Sequence, residues 1–201
     1  RRRPHGRSLQ RAHPACPSAI SRAALALYLH QSCIPAPYSI YDGIFKLPPG
    51  CFVQICDKQP LAPVCYWNYA EIAERGAAQP FSGSDADAGT RLHDLMRASV
   101  AEQMVADVPL GAFLSGGIDS SAIVALMQAN SPRPIHTFSI GFEDAAYNEA
   151  PYAKAVAERL GTAHTEFYVT ERDALDVIPL LPMMYDEPFA DSSQIPTYLL
   201  S

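Results

Sequence analysis

Among its 201 residues the chain has no cysteine pair at C-x-x-C spacing and no G-x-x-x-x-G-K-S/T loop. It also has no apolar run near the ~20 residues that a bilayer-spanning helix needs. The five cysteines (Cys16, Cys33, Cys51, Cys56, Cys65) crowd into the first third without metal-ligand spacing, which argues against zinc. An odd, unpatterned set of thiols favours a reducing compartment, so a cytoplasmic location is expected. Without a lysine after its glycines, the chain cannot reach a terminal phosphate in the Walker manner. Arginines followed by Ala23 to Leu29 imitate a signal peptide, but the run is short and no clear cleavage pattern follows, so a short amphipathic helix is expected. Positive charge is scarce beyond Arg11: the remainder carries 10 basic against 21 acidic residues. That body argues against the basic stripe of a nucleic-acid surface and is compatible with an enzyme whose positive charge comes from Mg2+. The first residue is Arg1 and not Met, so the chain is expected to be an internal piece of a longer protein.

What the chain does have is Asp107 to Gln128, reading DVPLGAFLSGGIDSSAIVALMQ. Val108 to Leu114 is apolar enough for a strand buried on both faces. Ile118 to Met127 is apolar nearly all round, as a buried helix would be. Between them lies Ser115-Gly116-Gly117-Ile118-Asp119-Ser120-Ser121. Glycines let the backbone take positive φ and approach an anion, consecutive N–H groups line a nest, and the helix's first turn adds partial positive charge. Ser115, Ser120 and Ser121 supply hydroxyl donors at the same spot. Asp119 would be repelled by a phosphate unless Mg2+ bridged the two; its other reading is an ordinary helix cap.

This run resembles the pyrophosphate loop of the ATP pyrophosphatases. With Val108-Pro109 and Gly111 ahead of it, it is similar to the synthetase domain of glutamine-dependent asparagine synthetases. The resemblance implies an α/β, doubly wound parallel sheet of the adenine nucleotide α-hydrolase (PP-loop) kind. It implies ATP and Mg2+ as cofactors, with aspartate and glutamine-derived ammonia as small-molecule partners. ATP would be split between its α and β phosphates to give a β-aspartyl-AMP intermediate and pyrophosphate. Leu114 to Gly117 and Asp119 to Ser121 would then hold the nucleotide, with Asp119 on the metal. In open parallel sheets ligands bind outside the carboxyl ends of the strands. The next strand therefore supplies a second wall, and the family places adenine there, which nominates Ile140 and Gly141.

In chain order, residues 1–20 read as an Arg/Pro-rich arm, though Leu9 to Pro14 still resembles the end of the family's glutaminase domain. Residues 21–75 read as the end of that domain and its junction. They contain a helix from Ser21 to about His30, a Pro-broken loop, a turn at Leu47 to Gly50, and strands Cys51–Ile55 and Val64–Tyr69 paired as a hairpin. Residues 76–90 read as a Gly/Ala/Ser/Asp-rich linker. Residues 91–201 are the PP-loop domain, its first helix beginning near Ala88 within the linker and running to about Met104. Then come a strand at Ile135–Ile140, a helix from Asn148 or Glu149 to Leu160 closed by Gly161, a strand at Thr165–Val169 and a helix from Glu171 to about Leu180. Glu149 fits a helix-start acid better than a substrate ligand, and His164 fits a structural role.

Tyr185 to Thr197 contains DEPFADSS, similar to the family's DEP-x-x-D-x-S stretch. There Glu187, Asp191 and Ser192 read either as a pocket wall for a substrate amino group or as capping residues for a helix starting near Pro196. The resemblance covers about Leu9 to Ser201. It departs at Arg1, where the family's glutaminase half begins with a catalytic cysteine. It stops before the family's second Ser-Gly loop and its further Mg2+-binding aspartate. No catalytic residue is therefore assigned, and the chain alone is expected to be inactive. A homodimer is compatible with the full-length family; a membrane or nucleic-acid partner is not expected. Related amide-bond formers (β-lactam synthetase-like or peptide-cyclising), a PP-loop tRNA-modifying protein and an inactive remnant are the competing readings.

Overall fold

The computed structural model describes residues 19–56, 62–142 and 148–200. The arm over residues 1–18, with Cys16, and the hairpin crossing at 57–61 lie outside them. The chain divides into two compact units, Arg1–Pro80 with Ile178–Gln194, and Phe81–Val177 with Ile195–Ser201.

In the first unit, Ser21 caps helix α1 (Arg22–Gln31), its hydroxyl accepting the Ala24 N–H at 3.3 Å. Ala24 packs with Ile34 and Ile40 into a small core flanked by Tyr28 and Tyr41. The Pro-broken segment is irregular, as expected, and Ser39 ties it: its hydroxyl accepts the Tyr41 N–H at 3.1 Å and lies 2.9 Å from Ile44 O. The turn ending at Gly50 also forms. Gly50 has φ +70°, and a Cβ there would sit 2.0 Å from Trp67 O. Strands β1 (Cys51–Phe52) and β2 (Val64–Cys65) pair antiparallel as expected.

Both strands are shorter than the sequence pattern predicts, and helix α2 (Tyr69–Ala78) begins where the second was expected to end. Asn68 causes this. Its Oδ1 accepts the N–H groups of Ala70 and Glu71 at 2.9 and 3.4 Å, satisfying donors that a helix start leaves open. A 3-10 turn (Ile178–Leu180) and helix α7 (Leu181–Met184) also belong to this unit.

The second unit opens with helix α3 (Asp85–Gln103), three residues ahead of the expected start. Ser84 and Asp87 form a capping box: the Ser84 hydroxyl accepts the Asp87 N–H at 3.2 Å, and the Asp87 carboxylate accepts the Ser84 N–H at 3.0 Å. The stretch 76–90 is thus helical at both ends and irregular only over 79–84. Gly76 and Gly89 are solvent-facing helix positions with nothing within 4 Å of a Cβ, and the division between the two units, at Pro80 and Phe81, falls in the irregular part.

Strand β3 (Gly111–Phe113), helix α4 (Ile118–Ala129), β4 (His136–Phe142), α5 (Ala150–Leu160), β5 (Ala163–Val169) and α6 (Glu171–Val177) follow. The three strands pair parallel in sequential order, with Phe113 opposite Phe138 and Ile140 opposite Phe167. This is the expected α/β alternation. Helix α8 (Gln194–Leu200) starts two residues before the expected Pro196.

Two details correct the sequence reading. β3 is not a long strand buried on both faces. Pro109 has no N–H for a ladder, Val108 is exposed, and among the described residues β3 pairs only with β4, leaving Phe113 half exposed. Nor is α4 buried all round, since Ile118 is 88% exposed while Val124, Leu126 and Met127 face the core. That core joins them to Val100, Leu114, Ile135, Ala153 and Ala157. α5 turns its small residues Ala150, Ala153 and Ala157 inward and lies against β4 and β5.

One sheet face, the one under α5, carries Thr137, Ser139 and Gly141 beside His164, Glu166 and Tyr168. Lys154 on α5 reaches Glu166 at 3.5 Å. His164 is structural, as expected. Its Nδ1 lies 2.9 Å from the Thr137 hydroxyl and its Nε2 3.2 Å from that of Ser139, both of which are buried.

Candidate functional site

The serine–glycine run sits at the carboxyl end of β3 and opens α4. Leu114 is anchored first. It is buried, and its N–H donates to Phe138 O at 2.8 Å, which ties the loop's entry to β4. Gly116 then takes φ +81°, a region costly for residues with a Cβ. Gly117 differs: at φ −71° and ψ 164° it is an extended N-cap, so of the pair only Gly116 uses the left-handed region.

The serines hold the loop in shape. Ser115 Oγ lies 2.9 Å from Ser120 Oγ and accepts the Gly117 N–H at 3.3 Å. Ser120 Oγ accepts the Ser115 N–H at 3.2 Å and donates to Gly117 O at 3.3 Å. In this geometry the hydroxyls of Ser115 and Ser120 shape the loop rather than project donors from it. Ser121 is the exception. Its Oγ is buried and has no hydrogen-bond partner among the described residues. An orphaned buried hydroxyl carries a cost of ~1–3 kcal/mol, so a group that pairs with it is favoured there.

Asp119 lies in the first turn of α4, exposed and with no carboxylate partner among the described residues. A helix start has N–H groups without intrahelical partners and a partial positive charge. Gly117 caps through its backbone only, and Asp119 makes no cap bond. The cap explanation for this acid therefore does not hold. The donor set suits a polyanion bridged by a hard cation: one free carboxylate, a helix N-terminus, a tight turn and an unpaired hydroxyl. No group of three or more His, Cys, Asp or Glu that could hold a metal unaided occurs among the described residues. An ion here would have to share its shell with phosphate oxygens and water, as Mg2+ commonly does.

Ile140 and Gly141 stand at the carboxyl end of β4. Gly141 is enclosed: a Cβ would lie 2.5 Å from the Tyr168 ring. Sequence reasoning missed the contact that fixes the loop, that of Gly116 against α5, because it joins residues far apart in the chain.

Glu187, Asp191 and Ser192 belong to the first unit or its border, and their local bonds are structural. The Glu187 carboxylate pairs with Lys46 Nζ and accepts the Ile40 N–H at 3.3 Å. Lys46 Nζ also donates to Ile34 O. Asp191 Oδ1 accepts the Ser193 N–H at 2.8 Å, and hydrogen bonds from Ser193, the backbone one first, hold its carboxyl below the usual range. Ser192 is exposed. A cavity of about 390 Å³ lies in this unit, lined by Ile40, Tyr41, Leu181, Tyr185, Asp186 and Phe189 among others. Tyr185 and Phe189 meet edge to face in its wall, 4.7 Å between ring centres.

The asparagine synthase family model matches residues 91–201, more than half of the chain, and the chain belongs to that family. It is 38% identical over 187 residues to a putative asparagine synthetase (glutamine-hydrolyzing) 2 from Methanocaldococcus jannaschii, covering 90% of this chain and 34% of that protein. It is 36% identical over 183 residues to a putative asparagine synthetase (glutamine-hydrolyzing) from Mycobacterium tuberculosis, covering 90% of this chain and 27% of that protein. Asparagine synthetase (glutamine-hydrolyzing) 1 of Bacillus subtilis is 29% identical over 182 residues, with 90% of this chain and 28% of that protein covered. The chain thus spans about a third or less of the curated relatives it matches. No described helix is long and apolar enough to cross a membrane.

Proposed function

We propose that this chain carries part of the nucleotide site of an ATP-dependent amide ligase that converts aspartate to asparagine. The observation that carries the reading is the Ser115–Ser121 turn at the end of a parallel strand, with Gly116 at positive φ and the unpartnered Asp119 at the helix start. Family membership and the names of the relatives support the ligase class.

In the proposed chemistry, the backbone around Gly116 and Gly117 and the first turn of α4 cradle the β and γ phosphates. Asp119 would hold Mg2+, which when bound would supply charge neutralisation at the leaving pyrophosphate. Leu114, Ile140 and Gly141 contact adenosine, largely through backbone groups. The aspartate side-chain carboxylate attacks the α-phosphorus in line, giving β-aspartyl-AMP. Ammonia, drawn from glutamine in the full-length protein, then displaces AMP. The chain's own contribution is positioning and charge stabilisation. Glu187, Asp191 and Ser192 as holders of the substrate amino group rest on the family resemblance, as does the assignment of 21–75 to the end of a glutaminase domain. A cytoplasmic, homodimeric full-length enzyme belongs to the same proposal.

Exchange of labelled pyrophosphate into ATP with aspartate tests this. Protein extended to the relatives' length should exchange and the 201-residue chain should not. Robust exchange by the 201-residue chain would refute its incompleteness, and exchange with other carboxylates but not aspartate would move the reading to a related amide former.

A further inference from the structure

Cys51 faces Cys65 directly across the β1–β2 pair. The neighbouring rung, Gly50 with Tyr66, is a hydrogen-bonded one, since the Tyr66 N–H donates to Gly50 O at 2.9 Å. Rungs alternate in an antiparallel ladder, so Cys51–Cys65 is a non-hydrogen-bonded rung, with side chains on one face and Cα atoms roughly 4.5 Å apart. That separation lies within the range a disulfide spans. Both sulfurs are reduced, Cys65 exposed and Cys51 half buried. Cys51 Sγ lies 3.7 Å from Pro49 O and Cys65 Sγ 3.3 Å from Trp67 O. Burial first, then the Cys65 thiol as a hydrogen-bond and charge neighbour, pushes the Cys51 thiol up. Cys33 and Cys56, both exposed, lie outside the strand pairing.

We propose that Cys51 and Cys65 form a reversible dithiol site that closes to a cross-strand disulfide by exchange with a low-molecular-weight disulfide. The Cys65 thiolate attacks one sulfur of the reagent and expels a thiol, leaving a mixed disulfide on Cys65. The Cys51 sulfur, giving up its proton, attacks Cys65 Sγ and expels the second thiol. Two protein thiols are oxidised to one disulfide and one reagent disulfide is reduced to two thiols, so atoms and electrons balance. The product staples the hairpin immediately before α2. Spacing in sequence does not announce this pair, because thirteen residues separate the two cysteines and only strand register brings them together.

The test is equilibration of the 201-residue chain with glutathione at graded ratios of oxidised to reduced form, then acid quench, digestion and mass spectrometry. The expected result is a Cys51–Cys65 linked peptide as the principal product, unchanged in C56S. Half conversion should need about tenfold less oxidised glutathione than for the same chain in urea, a difference of ~30 mV. C51S and C65S should each give only a glutathione adduct on the remaining partner. Adducts on both thiols without a bridge, a bridge to Cys56, or equal conversion in urea would each overturn the proposal. The wild-type comparison stands even where a variant folds poorly.

Discussion

Gly116 rests on the backbone of Ala153: a Cβ at position 116 would lie 2.7 Å from the Ala153 N and 2.6 Å from the Tyr152 Cβ. The loop is therefore seated on α5 as well as on its own strand, and two penalties meet in Gly116→Ala, a positive φ and a clash with main chain. The expected cost is about 2–4 kcal/mol, read as a shift in urea midpoint. Gly117→Ser should lie within about 1 kcal/mol of wild type, because φ −71° suits any residue, serine is a good N-cap, and the nearest atom is only the Ser115 hydroxyl. Equal losses for the two would remove the distinction between the glycines.

Thr137 is fully buried, and its hydroxyl lies between Thr162 Oγ1 at 2.8 Å and His164 Nδ1 at 2.9 Å. Thr137→Val keeps the shape and strands both partners, so it should cost about 1–3 kcal/mol. A neutral outcome in equilibrium unfolding would mean that water or a rotamer change satisfies them.

Glu187 serves structure through Lys46 and the Ile40 N–H, and substrate under the proposal. Lys46→Met should cost about 1–3 kcal/mol by leaving Glu187 without its cation. Glu187→Gln retains an acceptor for the Ile40 N–H. In the full-length enzyme a substrate role predicts a rise in KM for aspartate larger than this stability loss explains, and a purely structural role predicts none.

Acid should loosen two helix starts. The Asp87 and Asp173 carboxyls are held below their usual range by hydrogen bonds from Ser84 and Thr170 respectively, side chain first and backbone next. A carboxyl whose pKa is depressed by folding contributes stability above its unfolded value, and that contribution is lost as pH falls through the folded value. Thermal stability should therefore decline below about pH 4, and D87N and D173N should each flatten the decline. Parallel pH curves for wild type and both variants would contradict this.

The parts legible in sequence were those that local chemistry writes. Ser21 and Gly161 marked helix ends, and the run from Leu114 to Ser121 marked the turn between strand and helix. The caps at Asn68 and Ser84 were equally local, but the glycines at 76 and 89 drew attention to composition instead of to Asn68 with Glu71 and Ser84 with Asp87. The short, exposed β3 was hidden because apolar residues such as Val108 and Phe113 read as buried whether or not anything covers them. Three relationships depend on tertiary register alone: Gly116 with α5, Cys51 with Cys65, and Glu187 with Lys46.

Under the proposed function Asp119 grips the nucleotide's leaving diphosphate through a metal. The most direct measurement is titration calorimetry of Mg·ATP into protein extended to the relatives' length, wild type against Asp119→Ala. At least about tenfold weaker binding is expected for the variant, or ~1.4 kcal/mol, with the difference abolished when EDTA removes the magnesium. Identical affinity and heat for the two proteins would contradict it.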